Sequence, residues 1–238
     1  MCGRYLLDDE AYADILMILN NLNAAKKIYS EDNFSQISNT NNQPAANPEE
    51  NFILSDFPRG EVFPSNTAPV FEREGLFNVK WGFPHWKNPS VIINARSETA
   101  AEKSMFKKPL RERRCVVPSG GFYEWSRTAD NNQSNGNYHT GAGTRKTGRK
   151  LKDKYLFRRP GEHMIYMAGI VGSFKDAFGE EYSAFAILTT AASKSVARIH
   201  DRMPVLLTND EFDLWINDDA FMQHAIKRAG QELSAVMV

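Results

Sequence analysis

The N-terminal sequence Met1-Cys2-Gly3-Arg4 places a cysteine directly after the initiator methionine, and cysteine is small enough for that methionine to be removed. A terminal Cys2 carries an amine and a thiol on adjacent carbons. The amine can condense with an aldehyde to a Schiff base, and the thiol can then close a thiazolidine ring. An α-amine has a pKa of ~7.7–8.0, against ~10.4 for lysine, so part of it is nucleophilic at neutral pH. A cysteine at position 2 without a special role is the alternative.

Two further residues could supply the proton transfers that this chemistry needs. Glu124 lies among large aromatic residues in the segment Gly120–Trp125, where burial raises the pKa of a carboxyl group and suits it to proton transfer. His200, in the segment Ile199–Pro204, titrates near neutral pH and can act as an acid or a base. A solvent-facing glutamate and a histidine in a structural turn are the alternatives, and the sequence leaves both open.

Two more segments carry side chains that are suited to binding. The apolar run Val91–Ile93 leads into Asn94 and then Arg96. An asparagine at a strand end can hydrogen-bond a bound group, and an arginine can hold a phosphate in a bidentate fork. Trp81 and Trp86 flank a Gly-Phe-Pro-His turn, and exposed indoles stack on nucleic-acid bases. The alternatives are turn and surface roles for Asn94 and Arg96, and a core position for at least one tryptophan.

The charged residues are distributed unevenly, although the formal net charge is zero. Residues 1–62 contain ten acidic and four basic residues, whereas residues 103–159 contain four acidic and fifteen basic ones. A basic block of this size can form a surface that attracts a phosphate backbone. A solvated basic face without a partner is the competing interpretation.

Several other classes of site lack their signatures in this sequence. It contains no G-x-S-x-G, P-loop or H-E-x-x-H motif, and its cysteines and histidines are not spaced as zinc ligands, so we expect no metal and no cofactor. The two cysteines, Cys2 and Cys115, do not make a disulfide framework and suit a reducing compartment. No segment is typical of a signal peptide or a membrane span, and we expect a cytoplasmic protein without membrane contact.

The apolar segments are short and separated by glycine and proline signals, which predicts many short strands. Helices are predicted after Asp8 and Asp9, over Glu98–Phe106 and Asp210–Asn217, and after Asp218. Strands in runs, with helices grouped at the ends, favour an α+β fold with mainly antiparallel sheets. The predicted strands are Val62–Phe63, Phe77–Trp81, Arg114–Val117, Phe122–Trp125, Tyr155–Arg158, Met164–Val171, Ala184–Thr190 and Val205–Leu207.

Two polar stretches, at about 31–60 and 126–151, lack periodic apolar residues and are interpreted as surface insertions. The apolar segments on either side of each stretch are too short to form separate cores. We therefore expect a single domain over residues 1–238 that carries both insertions, and a monomer.

The motifs around these residues, in this order, resemble the SOS response-associated peptidase (SRAP) family. Each motif is weak alone, but the set is specific and extends from Met1 to about Leu207, outside the two insertions. The motifs are MCGRY at the N-terminus, Asn66-Thr67-Ala68-Pro69, WGFPHW, IINARSET, PSGGFYEW, Leu188-Thr189-Thr190-Ala191-Ala192 and IHDRMPV.

The resemblance implies a sensor that covalently traps abasic sites in single-stranded DNA, within a compact β-rich α+β fold with a positive DNA groove. It implies that Met1 is removed by self-processing and that Cys2 then reacts with the aldehyde of the opened sugar. Asn94 would position the amine and the sugar, Glu124 would transfer protons, and His200 would assist ring opening and reversal. The implied DNA-binding residues are Arg4 and Arg96, which would hold phosphates, and Trp81, Pro69, Thr189 and Asn66 along the DNA path.

The chemistry of the residues agrees with these roles, since an abasic site offers the aldehyde that a terminal cysteine captures. A Schiff base also acidifies the neighbouring sugar carbon, so strand cleavage by β-elimination is expected as a side activity. Two other functions stay open: a cysteine peptidase that acts on other chains, and a non-catalytic reader of damaged or modified single-stranded DNA. The sequence departs from the family pattern in its long insertions and in Lys152-Asp153-Lys154-Tyr155, where a proline is usual. These departures bear on the DNA footprint and leave the reactive residues unchanged.

Overall fold

The computed structural model describes residues 2–34, 57–85, 87–126 and 152–238, and it confirms the predicted α+β class with mainly antiparallel sheets. The strands are β1 Tyr5–Leu7, β2 Gly60–Val62, β3 Thr67–Glu72, β4 Gly75–Trp81, β5 Phe83–Pro84, β6 Val91–Ile92, β7 Asn94–Arg96, β8 Arg114–Ser119, β9 Gly121–Trp125, β10 Lys154–Arg158, β11 Ile165–Lys175, β12 Glu181–Ala191, β13 Arg202–Pro204, β14 Leu206–Leu207 and β15 Ser234–Met237. The helices are α1 Asp9–Phe34, α2 Ser97–Ala100, α3 Ser104–Glu112, α4 Lys194–Ala197, α5 Glu211–Asn217 and α6 Asp219–Ala225.

Five strands close into a barrel. They are neighbours in the order β12, β4, β3, β8 and β11, and β11 pairs again with β12. These pairs are antiparallel except β12–β4, which is parallel. Strand β7 lies outside this ring and also pairs with β12 in parallel. β13 and β14 extend the barrel along β12 and β11. Closure pairs the edges that an open sheet would expose.

A second, antiparallel sheet has the strand order β15, β10, β9, β1 and β2. The chain crosses from the barrel to this sheet between Ser119, the last residue of β8, and Gly121, the first of β9. Gly121 has φ +153°, and a Cβ atom there would lie 2.6 Å from the carbonyl oxygen of Phe157, so only glycine fits this crossing. The buried side chains of the barrel and the sheet form one hydrophobic core.

Arg114 joins two helices to the barrel. Its guanidinium is buried and donates to the carbonyl oxygens of Leu110 at the end of α3 (3.1 Å), and of Trp215 (2.6 Å) and Ile216 (3.1 Å) at the end of α5. It also pairs with Asp219 at 2.8 Å. The last carbonyls of a helix have no partner within the helix and carry partial negative charge, so one buried cation satisfies both helix ends.

The helices differ in detail from the sequence prediction. The single helix predicted over Glu98–Phe106 is wrong: α2 and α3 are separated by a turn at 101–103. The predicted start of the first helix is confirmed, because Asp8 accepts the backbone N–H of Ala11 at 3.0 Å as an N-cap.

α1 runs to Phe34 and so includes the beginning of the predicted 31–60 insertion. Most of both insertions, at 35–56 and 127–151, lies outside the described residues. In the described part of the chain, no helix is long and apolar enough to cross a membrane.

Candidate active site

Four residues predicted to be reactive come from four separate segments and meet between the barrel and the second sheet. Cys2 precedes β1, and Glu124 lies in β9 of the same sheet. Asn94 begins β7 beside the barrel strand β12, and His200 lies in the loop between α4 and β13. Asn94 contacts Cys2, His200 lies near Glu124, and the charge of Glu124 acts on the Cys2 thiol.

Cys2 is completely buried, and its thiol lies 3.7 Å from the carbonyl oxygen of Arg4. Burial raises the pKa of the Cys2 thiol well above its usual range, and the charge of Glu124 raises it further. The thiol is therefore protonated at neutral pH and needs a base before it can attack.

Asn94 fixes the position of residue 2. Its Nδ2 donates to the carbonyl oxygen of Cys2 at 2.9 Å. Its Oδ1 is buried and has no hydrogen-bond partner among the described residues. A buried amide oxygen without a partner costs free energy, and such an atom is available to accept a hydrogen bond from a bound group.

Glu124 is a buried carboxyl group with a titration range near neutrality. Burial is the main reason that its pKa rises from 4.5 to about 7, and the charge of Asp201 raises it further. This confirms the expectation that burial raises the pKa of Glu124. Near pH 7 the group exists in both protonation states, so it can donate or accept a proton.

His200 connects Glu124 to the outer part of the site. Its Nε2 lies 4.0 Å from Oε2 of Glu124, and its Nδ1 accepts the backbone N–H of Arg202 at 3.0 Å. Asp201 lies on the same side of the ring, with Oδ1 3.2 Å from Nδ1. Catalytic hydrogen bonds are often long before a substrate binds, so 4.0 Å is compatible with proton transfer between Nε2 and the carboxyl group.

Arg4 lies close to Cys2 in sequence but is already well supplied with partners. Its guanidinium lies over the rings of Phe63 and Trp125, with its central carbon 4.2 and 4.9 Å from the two centroids. Its Nη1 forms a 2.8 Å ion pair with Glu61, which also pairs with Lys154. A phosphate at Arg4 would therefore share the guanidinium with a carboxylate.

Arg202 lies near Arg96 and has no role assigned to it from the sequence. Arg96 is exposed on β7. Arg202 forms a bidentate pair with Glu98, with one contact of 2.8 Å, and also donates to the carbonyl oxygen of Thr189. Hydrogen bonds from Arg202 lower the pKa of Glu98, and the charge of Arg96 adds to this effect, so both arginines lie near one carboxylate. In the sequence, the feature that could have indicated a role for Arg202 at the site is its position two residues after His200.

The DNA path expected from the sequence is only partly accessible. Trp81 is fully buried: its Nε1 donates to the carbonyl oxygen of Ile93 at 3.1 Å, and its ring packs against Tyr5 and Phe185. Trp81 thus has the core position that the sequence left open as the alternative, and its indole is not exposed to a base in this structure. Its role on a DNA path stays a prediction.

Pro69 and Thr189 are also buried, in β3 and β12. Their roles on a DNA path likewise stay predictions. Asn66 is exposed, and its Oδ1 accepts the backbone N–H of Phe63 at 2.9 Å, which stabilises the turn before β3. Trp86 lies outside the described residues. Side-chain burial was the information that the motifs lacked.

The described part of the chain contains no group of three His, Cys, Asp or Glu side chains placed to hold a metal ion. The arrangement instead offers a buried thiol, a buried carboxyl group that titrates near pH 7, an imidazole and an amide oxygen. Together these groups can bind an electrophilic carbon near residue 2 and move protons to and from it.

Comparison with known proteins identifies relatives of this arrangement. A family model described as SOS response associated peptidase (SRAP) matches residues 1–238. The chain is 33% identical over 184 residues to the abasic site processing protein YoqW of Bacillus subtilis, covering 71% of this chain and 74% of the relative. It is 31% identical over 193 residues to the abasic site processing protein HMCES of Rattus norvegicus, covering 69% and 55%. A crystal structure of a protein from Bacteroides thetaiotaomicron superposes with a TM-score of 0.58 at 25% identity, covering 75% and 77%.

Proposed function

The chain belongs to the SOS response associated peptidase family, and we propose that it processes abasic sites in DNA by covalent capture at Cys2. The observation that carries the proposal is the convergence of Cys2, Asn94, Glu124 and His200 from four segments of the chain. Relatives that are named abasic site processing proteins support the substrate class.

The proposed reaction begins after removal of Met1. The Cys2 amine attacks the aldehyde carbon of the opened abasic sugar, and the resulting carbinolamine loses water to form a Schiff base. Because Glu124 supplies the proton that leaves with the hydroxyl, the Schiff base keeps its N–H. The thiol then adds to the imine carbon as its own proton passes to the Glu124 carboxylate, which closes a neutral thiazolidine with the overall loss of one water. Glu124, with a pKa of about 7, protonates the departing hydroxyl and then accepts the thiol proton as a carboxylate. Asn94 holds the backbone of residue 2 during these steps.

The buried thiol supports this order of events. Because the pKa of the Cys2 thiol is raised by burial, the thiol is a poor nucleophile until a base lies beside it. The amine therefore attacks first. The same burial favours single-stranded DNA as the substrate, because the sugar must leave a base stack to reach residue 2, and this costs least in an unpaired strand.

Self-removal of Met1 and strand cleavage are two further parts of the proposal. The Cys2 thiol, with Glu124 as the base, would attack the Met1 carbonyl carbon; the Met1–Cys2 peptide bond breaks as a thioester forms, the freed amine takes up a proton, and water then hydrolyses the thioester to release methionine. The Schiff base would also permit β-elimination as a slower side reaction. An N-terminal cysteine peptidase that acts on other chains, and a non-catalytic reader of single-stranded DNA, are the alternatives that the experiment below separates.

Intact-mass measurement tests the proposal directly. The purified protein is expected to lack the mass of Met1 and, after incubation with a single-stranded oligonucleotide that carries one abasic site, to gain the oligonucleotide mass less one water. The matched variant Cys2→Ala, released from a cleavable N-terminal tag so that it begins at residue 2, keeps a terminal amine but has no thiol, so it should give an adduct only when borohydride reduces the Schiff base. Both proteins should bind an undamaged oligonucleotide equally.

Three results would contradict the proposal. No adduct from a chain proven to begin at Cys2 would favour the reader function. A stable adduct of Cys2→Ala without borohydride would exclude the thiazolidine. Turnover of an unrelated peptide would favour the peptidase acting on other chains.

A further inference from the structure

The surroundings of His200 assign a role to a residue outside the four reactive ones. We propose that Asp201 is a positioning residue that enables His200 to accept, as well as donate, a proton at Nε2. The inference rests on the proposed function, since it concerns proton transfer at the same site.

Nδ1 of His200 has one donor and two acceptors within reach, and one of the acceptors is the backbone carbonyl oxygen of Arg202 at 3.3 Å. The backbone N–H of Arg202 lies 3.0 Å from Nδ1, and Oδ1 of Asp201 lies 3.2 Å from it. A donor beside Nδ1 stabilises the neutral ring with its hydrogen on Nε2. A carboxylate beside Nδ1 stabilises the ring with its hydrogen on Nδ1. The loop therefore supports both neutral tautomers.

The two tautomers have opposite capacities at Nε2, which faces Glu124 at 4.0 Å. When Arg202 donates to Nδ1, Nε2 carries the hydrogen and can only give it to the carboxylate. When Nδ1–H is donated to Asp201, Nε2 has a free lone pair. The O–H bond of protonated Glu124 can then break as an N–H bond forms at Nε2, which leaves a glutamate and an imidazolium beside the Asp201 carboxylate. Without Asp201, the acceptor form of His200 keeps only the neutral carbonyl oxygen of Arg202 and loses its charged partner.

The backbone holds Asp201 in this position. Its carbonyl oxygen accepts the N–H of Ala192 at 3.0 Å, and the next residue, Arg202, begins β13 and pairs with Ala191 of β12. The Arg202 guanidinium is engaged by Glu98 and the Thr189 carbonyl. Among the described residues, the charged side chains found against the His200 ring are Glu124 from β9 and Asp201 from its own loop.

Exposure increases steadily along these three side chains. It is 4% for Glu124, 22% for His200 and 67% for Asp201. The group therefore forms a proton path from a buried carboxyl to solvent. The path lets Glu124 exchange protons with solvent before each capture, so that the carboxyl group is protonated when the carbinolamine loses water.

Capture rates as a function of pH test the inference. Rates are measured at saturating abasic oligonucleotide for the wild type, Asp201→Ala, Asp201→Glu and Asp210→Ala. Asp210 is a matched control, since it is exposed and its side chain makes no helix-cap hydrogen bond. Asp201→Ala should be about two- to fivefold slower, the size expected for one exposed charged contact. Its rate profile should also move to lower pH, because a negative charge beside both proton-carrying groups is lost. Asp201→Glu should recover both properties, and Asp210→Ala should match the wild type.

A second measurement needs no DNA reaction. Heteronuclear NMR of the His200 ring nitrogens should detect both neutral tautomers in the wild type and a shift toward the Nε2–H form in Asp201→Ala.

The inference is overturned if Asp201→Ala leaves the tautomer ratio and the rate profile unchanged. It is also overturned if Asp201→Ala and Asp201→Glu capture DNA equally slowly and the midpoints of their pH–rate profiles match the wild type. That result would indicate a structural role for Asp201. Failure of the wild type to form an adduct would count against the proposed function instead, and the NMR result would still decide the role of Asp201.

Discussion

Nδ2 of Asn94 donates a hydrogen bond of 2.9 Å to the carbonyl oxygen of Cys2, a residue that lies 92 positions earlier in the sequence. The bond joins β7, which pairs with the barrel strand β12, to the segment that precedes the second sheet. Cys2 is thus held by the barrel, and its position depends on the correct docking of the two parts of the fold.

Asn94→Ala should slow capture about tenfold, because one hydrogen bond that positions the nucleophile is lost. Single-turnover rates on an abasic oligonucleotide measure this effect. Asn78→Ala, an exposed asparagine on β4, is the control and should react at the wild-type rate. A wild-type rate for Asn94→Ala would show that the bond to Cys2 does not position the amine.

Glu124→Gln should lose capture activity and gain stability. The pKa of Glu124 is about 7 in the folded protein against an ordinary 4.5, so the wild type loses stability as pH rises from about 4.5 to 7, where the unfolded chain ionises and the folded chain does not. A glutamine has no such cost. The variant should therefore be more stable than the wild type above pH 7, by at most about 3 kcal/mol.

Urea unfolding at pH 4 and pH 8 checks this expectation. The two proteins should have similar free energies of unfolding at pH 4 and should separate at pH 8. An equal difference at both pH values would contradict the assignment, since it would mean that the substitution acts through packing rather than ionisation.

Arg96→Ala should weaken the binding of single-stranded DNA. The slope of log affinity against log salt concentration should also become shallower, by the amount expected for about one lost phosphate contact. Fluorescence anisotropy at several salt concentrations measures both quantities. Lys175→Ala is a suitable control, because Lys175 pairs with Glu181 on β12 whereas Arg96 pairs with Thr189, about 26 Å along the same strand. Equal losses in the two variants would indicate a general charge effect and no contact at Arg96.

Arg114→Met should destabilise the protein by about 3–5 kcal/mol, because the carbonyl groups that end α3 and α5 lose their buried partner. Thermal unfolding measures the loss. Arg111→Met, which removes an exposed arginine from α3, should change stability little. Where Arg114→Met remains folded, its capture rate should equal that of the wild type, and a large rate loss at low temperature would contradict a purely structural role.

Much of the fold follows from local sequence. Glycine and proline signals and short apolar runs predicted eight strands, and the structure contains a strand in each of these segments, although β2 ends at Val62 rather than Phe63. Local rules worked here because turn chemistry acts over a few residues. They failed between α2 and α3, where the pattern of apolar residues continues but the backbone turns at 101–103.

The sequence by itself determined which residue types could do the chemistry: a cysteine that can become terminal, a glutamate among aromatic residues, and a histidine followed by an acidic and a basic residue. Only the tertiary structure decided which side chains are accessible and which are neighbours. The motifs implied DNA contacts for Trp81, Pro69 and Thr189. All three side chains are buried, because their strands pack against the common core. Asn94 contacts Cys2, and His200 lies near Glu124, because the barrel and the second sheet pack together. Such contacts depend on long-range packing, and no local pattern of residues encodes them.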